Sequence, residues 1–382
     1  MIKQLKLITA AIGLMVFSQA AQADWGPTKR LTWNSGYSRE PSIAVDSSGH
    51  IHLVWFDYTP GNAEIYYKKS TDEGATWSSN QRLTWTTTDS WAPDLAVDPS
   101  GNPHVVWQEN LTEDREIFYV RSTDGGDTWS ASQRLTWNSG NSSIPNVAVD
   151  LSGNPHVSWH DKTPGNEEIY YKKSTDGGTS WSANQRLTWN SGNSNVPCLA
   201  FDSLGKLHLV WGDWTPENME IYHKKSTDGG ASWSANQRLT WNSGVSGYPQ
   251  IALASSTYLV VVWSDSTPGN RETYCRRSTD GGASWLASQR LTWNSGETWT
   301  LAVAVDSAKC YHLVWRDTTP GNSEVYYKKS TGGSVWSATE RLTWTSGECL
   351  ALDISAGPSD IVHVVYDNDE AGNAEIYYKK GN

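Results

Sequence analysis

The octet Ser-Thr-Asp-x-Gly-x-x-Trp returns at 70–77, 122–129, 174–181, 226–233 and 278–285, always 52 residues apart. A sixth copy, Ser330-Thr-Gly-Gly-Ser-Val-Trp336, has lost the Asp and one residue. No other feature constrains the chain as strongly, because a period near 50 with strand-like content is the mark of a radial repeat array. The octet reads as a hairpin turn. Its Asp (Asp72, Asp124, Asp176, Asp228, Asp280) accepts backbone N–H groups, the glycines supply positive φ, and the Trp plugs the turn against the core.

One unit reads as four strands: Pro41–Asp46, His50–Asp57, Glu64–Ser70 and Trp77–Trp85. β-branched and aromatic residues punctuated by Gly, Asn and Pro support strands throughout, and no stretch has helical periodicity. Four strands per unit is a propeller blade, so the fold class is all-β. An Arg-Leu-Thr-Trp strand begins at Arg30, Arg82, Arg134, Arg186, Arg238, Arg290 and Arg341, but the first precedes any complete unit and the last unit stops after three strands. The N-terminal strand Thr28–Trp33 therefore completes a seventh blade, which closes the ring and removes two exposed sheet edges. Residues 24–382 are expected to form one seven-bladed β-propeller. Its octet and Asp-Ser-x-Gly turns lie on one face, with the Asn-Ser-Gly and Thr-Pro-Gly-Asn loops on the other.

The octet resembles the Asp-box of the bacterial neuraminidase repeat, the turn between the third and outer strands of sialidase-like β-propellers. The resemblance covers nearly the whole chain as architecture, and in that family the box is a structural turn away from the active site. A sialidase would carry an arginine triad, a Tyr/Glu nucleophile pair and an Asp acid/base on a six-bladed ring. Arg39-Glu40-Pro41 matches the Arg-x-Pro part of the Phe/Tyr-Arg-Ile-Pro motif, at the first blade. The aromatic before Arg39 is missing, the blade count is seven, and no blade carries a long insertion.

Residues 1–23 hold Lys3 and Lys6, an apolar run from Leu7 to Phe17, and Ala21-Gln22-Ala23 ahead of Asp24. That pattern is a secretory signal peptide, too short to span a bilayer, so the mature chain is expected to be secreted or periplasmic without membrane insertion. A net charge of −11 with no basic run excludes nucleic acid as a partner. The four cysteines make no obvious pair and are expected to be free; Cys198 and Cys349 read as one column three repeats apart. The twenty-three Trp are explained mostly by the repeat, and its recurring columns read as blade packing. The Lys-Lys pairs read as solvated strand ends.

Several polar columns recur. Asp57, Glu109, Asp161, Asp213, Asp265, Asp317 and Asn368 end the second strand, and a Glu opens each third strand from Glu64 to Glu375. Two readings stand: a set of sugar sites, each a carboxylate beside an aromatic platform, or Arg–Glu pairing across strands with each Asp capping its own loop. A His column (His52, His104, His156, His208, His312, His363) alternates with aliphatic residues and reads as half-buried structural histidine, with no metal or cofactor expected.

A unique site must break the symmetry. Two loop-face columns vary: Phe56, Gln108, His160, Gly212, Ser264, Arg316, Asp367; and Arg39, Trp91, Ser143, Asn195, Gly247, Trp299. Arg39, Arg316 and Asp367 belong to blades 1, 6 and 7, flanked by Trp91 and Trp299. The sector reads as a pocket for an anionic or polar glycan, with Arg forks on a carboxylate and Trp against sugar, or as loop drift. Arg115 and Arg271 are weaker arginine candidates. Arg39, Arg316 and Asp367 are the catalytic candidates if the chain is sialidase-like; the ligand-binding candidates are Arg39, Trp91, Trp299, Arg316, Asp57, Asp161, Asp213, Asp265 and Asp317. Seven near-equivalent carboxylates do not identify a glycosidase pair, whereas near-identical blades suit multivalent recognition. The first reading is a lectin-like module for glycans, the second a sialidase-like exo-glycosidase, the third a structural or protein-binding propeller. Three converging arginines with a Tyr/Glu pair would mark the enzyme; equivalent Trp-lined clefts between blades would mark the lectin.

Overall fold

A computed structural model of the chain describes residues 24–382 apart from 112, 113 and 216; the signal peptide expected over 1–23 lies outside the described residues. Each repeat forms a four-stranded antiparallel sheet, and seven such sheets make the ring. In blade 1 the strands are Ser38–Val45, Ile51–Asp57, Glu64–Ser70 and Gln81–Arg82. The last sheet joins Leu352–Ala356, Val362–Asn368 and Glu375–Gly381 to Lys29–Arg30, with Lys29 opposite Tyr378 and Arg30 opposite Tyr377. The N-terminal closure expected from the repeat count is thus formed.

The core lies between blades rather than within them. Every residue of the second strand Ile51–Asp57 is buried, since one face of this inner-middle strand meets each neighbouring blade. Trp55, Trp107, Trp159, Trp211, Trp263 and Trp315 are at most 1% exposed. One apolar cluster runs from Val54 and Tyr67 of blade 1 to Leu95, Val105 and Trp107 of blade 2. The octet turns seal its rim. Trp129 packs edge-on against Tyr67 of the preceding blade at 4.9 Å, and Gly126, at φ 88°, leaves no space for a Cβ beside the Tyr67 hydroxyl.

Four expectations change. The outer strand is short: only Gln81–Arg82 pair, the remainder of 77–85 being irregular. The Arg-Leu-Thr-Trp tryptophans do not pack the blades; all seven, from Trp33 to Trp344, remain 62–71% exposed. The lysine pairs are staples between blades. Lys68 donates to the Leu31 carbonyl at 2.7 Å and Lys69 to the Gly125 carbonyl at 3.0 Å, one on each neighbouring blade. Burial draws the Lys68 ammonium down to about 8. Finally, Cys198 pairs with Val210 on an inner strand while Cys349 takes the place of Ser38, so they occupy different columns. All four cysteines are free.

Candidate functional site

The repeated polar columns are engaged with the fold. Arg82 bonds Glu64 at 2.8 Å, and the equivalent pair recurs in every blade at 2.7–2.9 Å, with each Glu fully buried. The six histidines are buried, and five bond a tyrosine hydroxyl on the next strand, as His52 does with Tyr67 at 2.8 Å. Asp57, Asp161, Asp213, Asp265 and Asp317 are at most 1% exposed. Asp161 accepts Ser142 Oγ at 2.8 Å, Trp159 Nε1 at 3.2 Å and Thr163 N at 2.8 Å. Each of these carboxylates caps its loop, and none has an oxygen to offer a ligand without giving up a cap. The octet aspartates behave as turn caps: Asp228 accepts Ser232 N at 2.9 Å and Ser226 Oγ at 2.7 Å.

At the ring's inner edge, the first strands carry a belt of one residue per blade: Ser42, Asp94, Asn146, Cys198, Gln250, Ala302 and Asp353. Asp94 accepts Val147 N at 2.7 Å, Asn146 accepts Leu199 N at 2.6 Å and Asp353 accepts Ile43 N at 2.9 Å, each from the next blade. Just above the belt on the loop face, each of the first six inner strands bulges. Glu40, Ala92, Ile144, Val196, Tyr248 and Thr300 take φ of 33–56°, which costs strain in residues with a Cβ. These bulges ring the mouth of the axis; Glu40 reaches Ala92 N at 3.1 Å on the next blade.

The symmetry-breaking residues meet on one side of that mouth. Arg271 of blade 5 lays its guanidinium 4.3 Å from the centre of Trp299 of blade 6. Arg316 lies 5.9 Å from the same ring, and Tyr248 approaches it edge-on at 6.4 Å. Arg271 Nη1 and Arg316 Nε are buried with no protein partner. Beside them, Asp367 of blade 7 is 1% exposed. Its Oδ1 accepts Leu350 N at 2.8 Å and Ala351 N at 2.9 Å, while Oδ2 has no partner. Burial raises the Asp367 pKa against the pull of those amides and of Arg39. Burial also lowers the Arg316 guanidinium, which Asp367 and Glu348 partly restore.

Arg39, Arg316 and Asp367 are therefore brought together, with the carboxyl electrostatically coupled to both arginines. Arg39 also covers the Tyr37 ring at 5.5 Å. Trp299 belongs to the group as a platform for guanidinium. Trp91 sits apart, packed with Phe56 and Tyr58 between blades 1 and 2. Arg115 lies on the far side, close enough to act on His160. Sequence reasoning underrated Arg271 and missed Tyr248; the signal available was that five of the six bulge residues, Tyr248 among them, immediately precede a proline. Asp306, Cys310 and His312 bring metal-type ligand atoms within 4.8 Å of one another. The Asp–His half of that group recurs in blades 1–4 at 3.6–3.9 Å as part of the fold.

Residues 165–364 match the family described as BNR repeat-like domain. No curated protein matches the chain. A Dyadobacter fermentans protein of unknown function aligns at TM-score 0.59 and 12% identity, over 94% of this chain and 99% of that one. A Hadza microbial sialidase aligns at 0.56 and 15%, over 88% and 74%. A polysaccharide lyase, ulvan lyase, aligns at 0.62 and 10%, over 92% and 95%; a second structure of it, bound to -[GlcA(1-4)Rha3S]-, aligns at 0.60 and 10%, over 92% and 95%. At these identities the likenesses show the fold. Among the described residues, no helix is long and apolar enough to cross a membrane.

Proposed function

The chain belongs to the BNR repeat-like domain family, and from that premise we propose that it is an exported carbohydrate-recognition propeller that holds an acidic sugar chain at the loop-face mouth, by binding rather than turnover. The observation that carries this reading is the Arg271–Trp299–Arg316 group. Two buried guanidinium N–H donors without protein partners cost roughly 1–3 kcal/mol each, and the other N–H groups of the same two arginines are charge-assisted donors of the kind that hold a carboxylate or sulfate. The Arg271 guanidinium lies 4.3 Å from the Trp299 ring centre, a contact that restricts the side chain before binding. The ulvan lyase neighbour, bound to a chain containing glucuronate and rhamnose sulfate, lends support by fold analogy. With a net charge of −11, recognition rests on these local donors and not on long-range attraction.

One observation favours a second reading, a sialidase-like glycoside hydrolase. Asp367, with its raised pKa, its free oxygen and Arg39 and Arg316 near it, has the character of a proton donor. The two readings separate in one experiment on the chain from Asp24: a glycan array that includes sialylated, uronic-acid and sulfated oligosaccharides, with product analysis of the same mixtures. Binding of acidic glycans without turnover, weakened at least about tenfold by Arg316→Ala, is the expected result. Turnover abolished by Asp367→Asn would establish the enzyme instead. Silence in both assays would leave a scaffold that recognises protein.

A further inference from the structure

Far from the mouth, on the outer rim, the seven exposed tryptophans stand above the grooves between blades. In six grooves the second-strand residue on the floor is a Trp. The buried Trp of the second strand stacks on the third-strand aromatic at 5.7–6.0 Å, as Trp55 does on Tyr66. Its Nε1 points to the capping carboxylate, at 3.0–3.4 Å in five of the six. Between blades 6 and 7 the floor differs: Tyr366 and Asn368 stand in place of the Trp and the Asp. Asn368 bonds Thr345 Oγ1 at 3.0 Å and Cys349 Sγ at 3.3 Å, Tyr366 stacks on Tyr377 at 5.7 Å, and a cavity of about 300 Å³ lies beside Tyr366 and Asn368.

We propose that this cavity is a second, independent carbohydrate site that takes one neutral pyranose residue. Trp344, 69% exposed, offers a flat apolar face at its edge, and Tyr377 forms a wall. Around these lie groups of both signs: Glu370 and the Thr345 hydroxyl as acceptors, and Lys379, which spends one N–H on Leu342 O at 2.8 Å and keeps two. An aromatic platform ringed by both donors and acceptors matches a polyhydroxylated ring, which has apolar C–H faces and hydroxyls that donate and accept. The volume lies at the low end of ligand pockets, about 300–1,000 Å³, so one ring fits and a chain does not. In the other six blades a Trp of the second strand stands where Tyr366 does.

The test titrates the chain from Asp24 with the methyl pyranosides of glucose, galactose, mannose, fucose and N-acetylglucosamine, with affinities expected on the order of 1 mM. Tyr366→Trp restores the residue of the other six blades and fills the cavity; it should weaken binding at least about tenfold, or 1.4 kcal/mol. Trp344→Ala, at an exposed position with no fold to lose, should do the same. Arg316→Ala should leave pyranoside binding intact, and Tyr366→Trp should leave acidic-glycan binding intact, so the rim and mouth sites fail or succeed separately. Wild-type affinity in both rim variants, or no binding of any pyranoside to the wild type, would overturn the proposal.

Discussion

The third-strand glutamate is present in all seven blades, and in each it is fully buried and bonded to the outer-strand arginine. The position after the second-strand aromatic holds Phe56, Gln108, His160, Gly212, Ser264, Arg316 and Asp367, one kind per blade. Both columns lie on the same sheets, and the contrast follows from what each side chain touches. A residue that must satisfy a buried partner within its blade has one solution, which every repeat repeats. A residue that faces the mouth has no partner fixed by the repeat, so each blade is free to differ. In this molecule, repetition marks the frame, and the varying column departs from it; of that column only Arg316 is more than about 9% exposed.

The largest test of the frame removes residues 24–33. The deletion takes away the outer strand of blade 7, the buried Leu31, the Arg30 partner of buried Glu375 and the carbonyl that Lys68 uses. It should lower the melting midpoint by about 10 °C or more, or prevent folding; an unchanged melting curve would refute closure by this strand. Next in size is Glu220→Ala. Glu220 Oε1 accepts Arg238 at 2.9 Å and Asn242 N at 2.9 Å, so truncation strands two donors and should cost about 3 kcal/mol. A truncation of similar size at the mouth, Arg316→Ala, should leave the midpoint within about 2 °C. Equal destabilisation by the two would erase the distinction between frame and mouth.

The frame was legible because its period is covalent: 52-residue spacing fixes the blade count, and a strand left over at one end matches one missing at the other. Burial was less legible. The Arg-Leu-Thr-Trp residues look like core by type, but the short outer strand turns the Leu inward and leaves the Trp in water. Lysine pairs look like solvated ends, but the long aliphatic stem lets Lys68 reach a carbonyl across the blade interface. At the mouth, Arg39, Arg316 and Asp367 could be grouped from blade order alone. Arg271 could not, because its approach to Trp299 depends on the bulge geometry of two neighbouring blades, which no spacing within one repeat reports.

The smallest expected effect concerns the axial belt, where the repeat frame and the varying residues meet. Asp94 is pushed up to about 7 and Asp353 to about 6, chiefly by desolvation, with Asp353 adding repulsion to Asp94. A carboxyl whose pKa is raised in the folded ring binds its proton more tightly there than in the unfolded chain. Its stabilising contribution is therefore greatest below about pH 4 and is lost as the pH climbs through 6 and 7. The octet aspartates act in the opposite direction: Asp72, held near 2 by its bonds to Thr76 and Ser70, loses its contribution as the pH falls below about 4. Both belt carboxyls are half-buried and keep some contact with water along the axis, so the belt should contribute no more than about 1–2 kcal/mol between pH 5 and 8. The melting midpoint should thus be a few degrees lower at pH 8 than at pH 5. Asp94→Asn keeps an acceptor for Val147 N but cannot ionise, and should remove most of that slope while leaving acidic-glycan binding unchanged. A slope that survives in Asp94→Asn and in Asp353→Asn would place the pH dependence outside the belt. Loss of glycan binding in either variant would show that the belt is part of the mouth and not the frame beneath it.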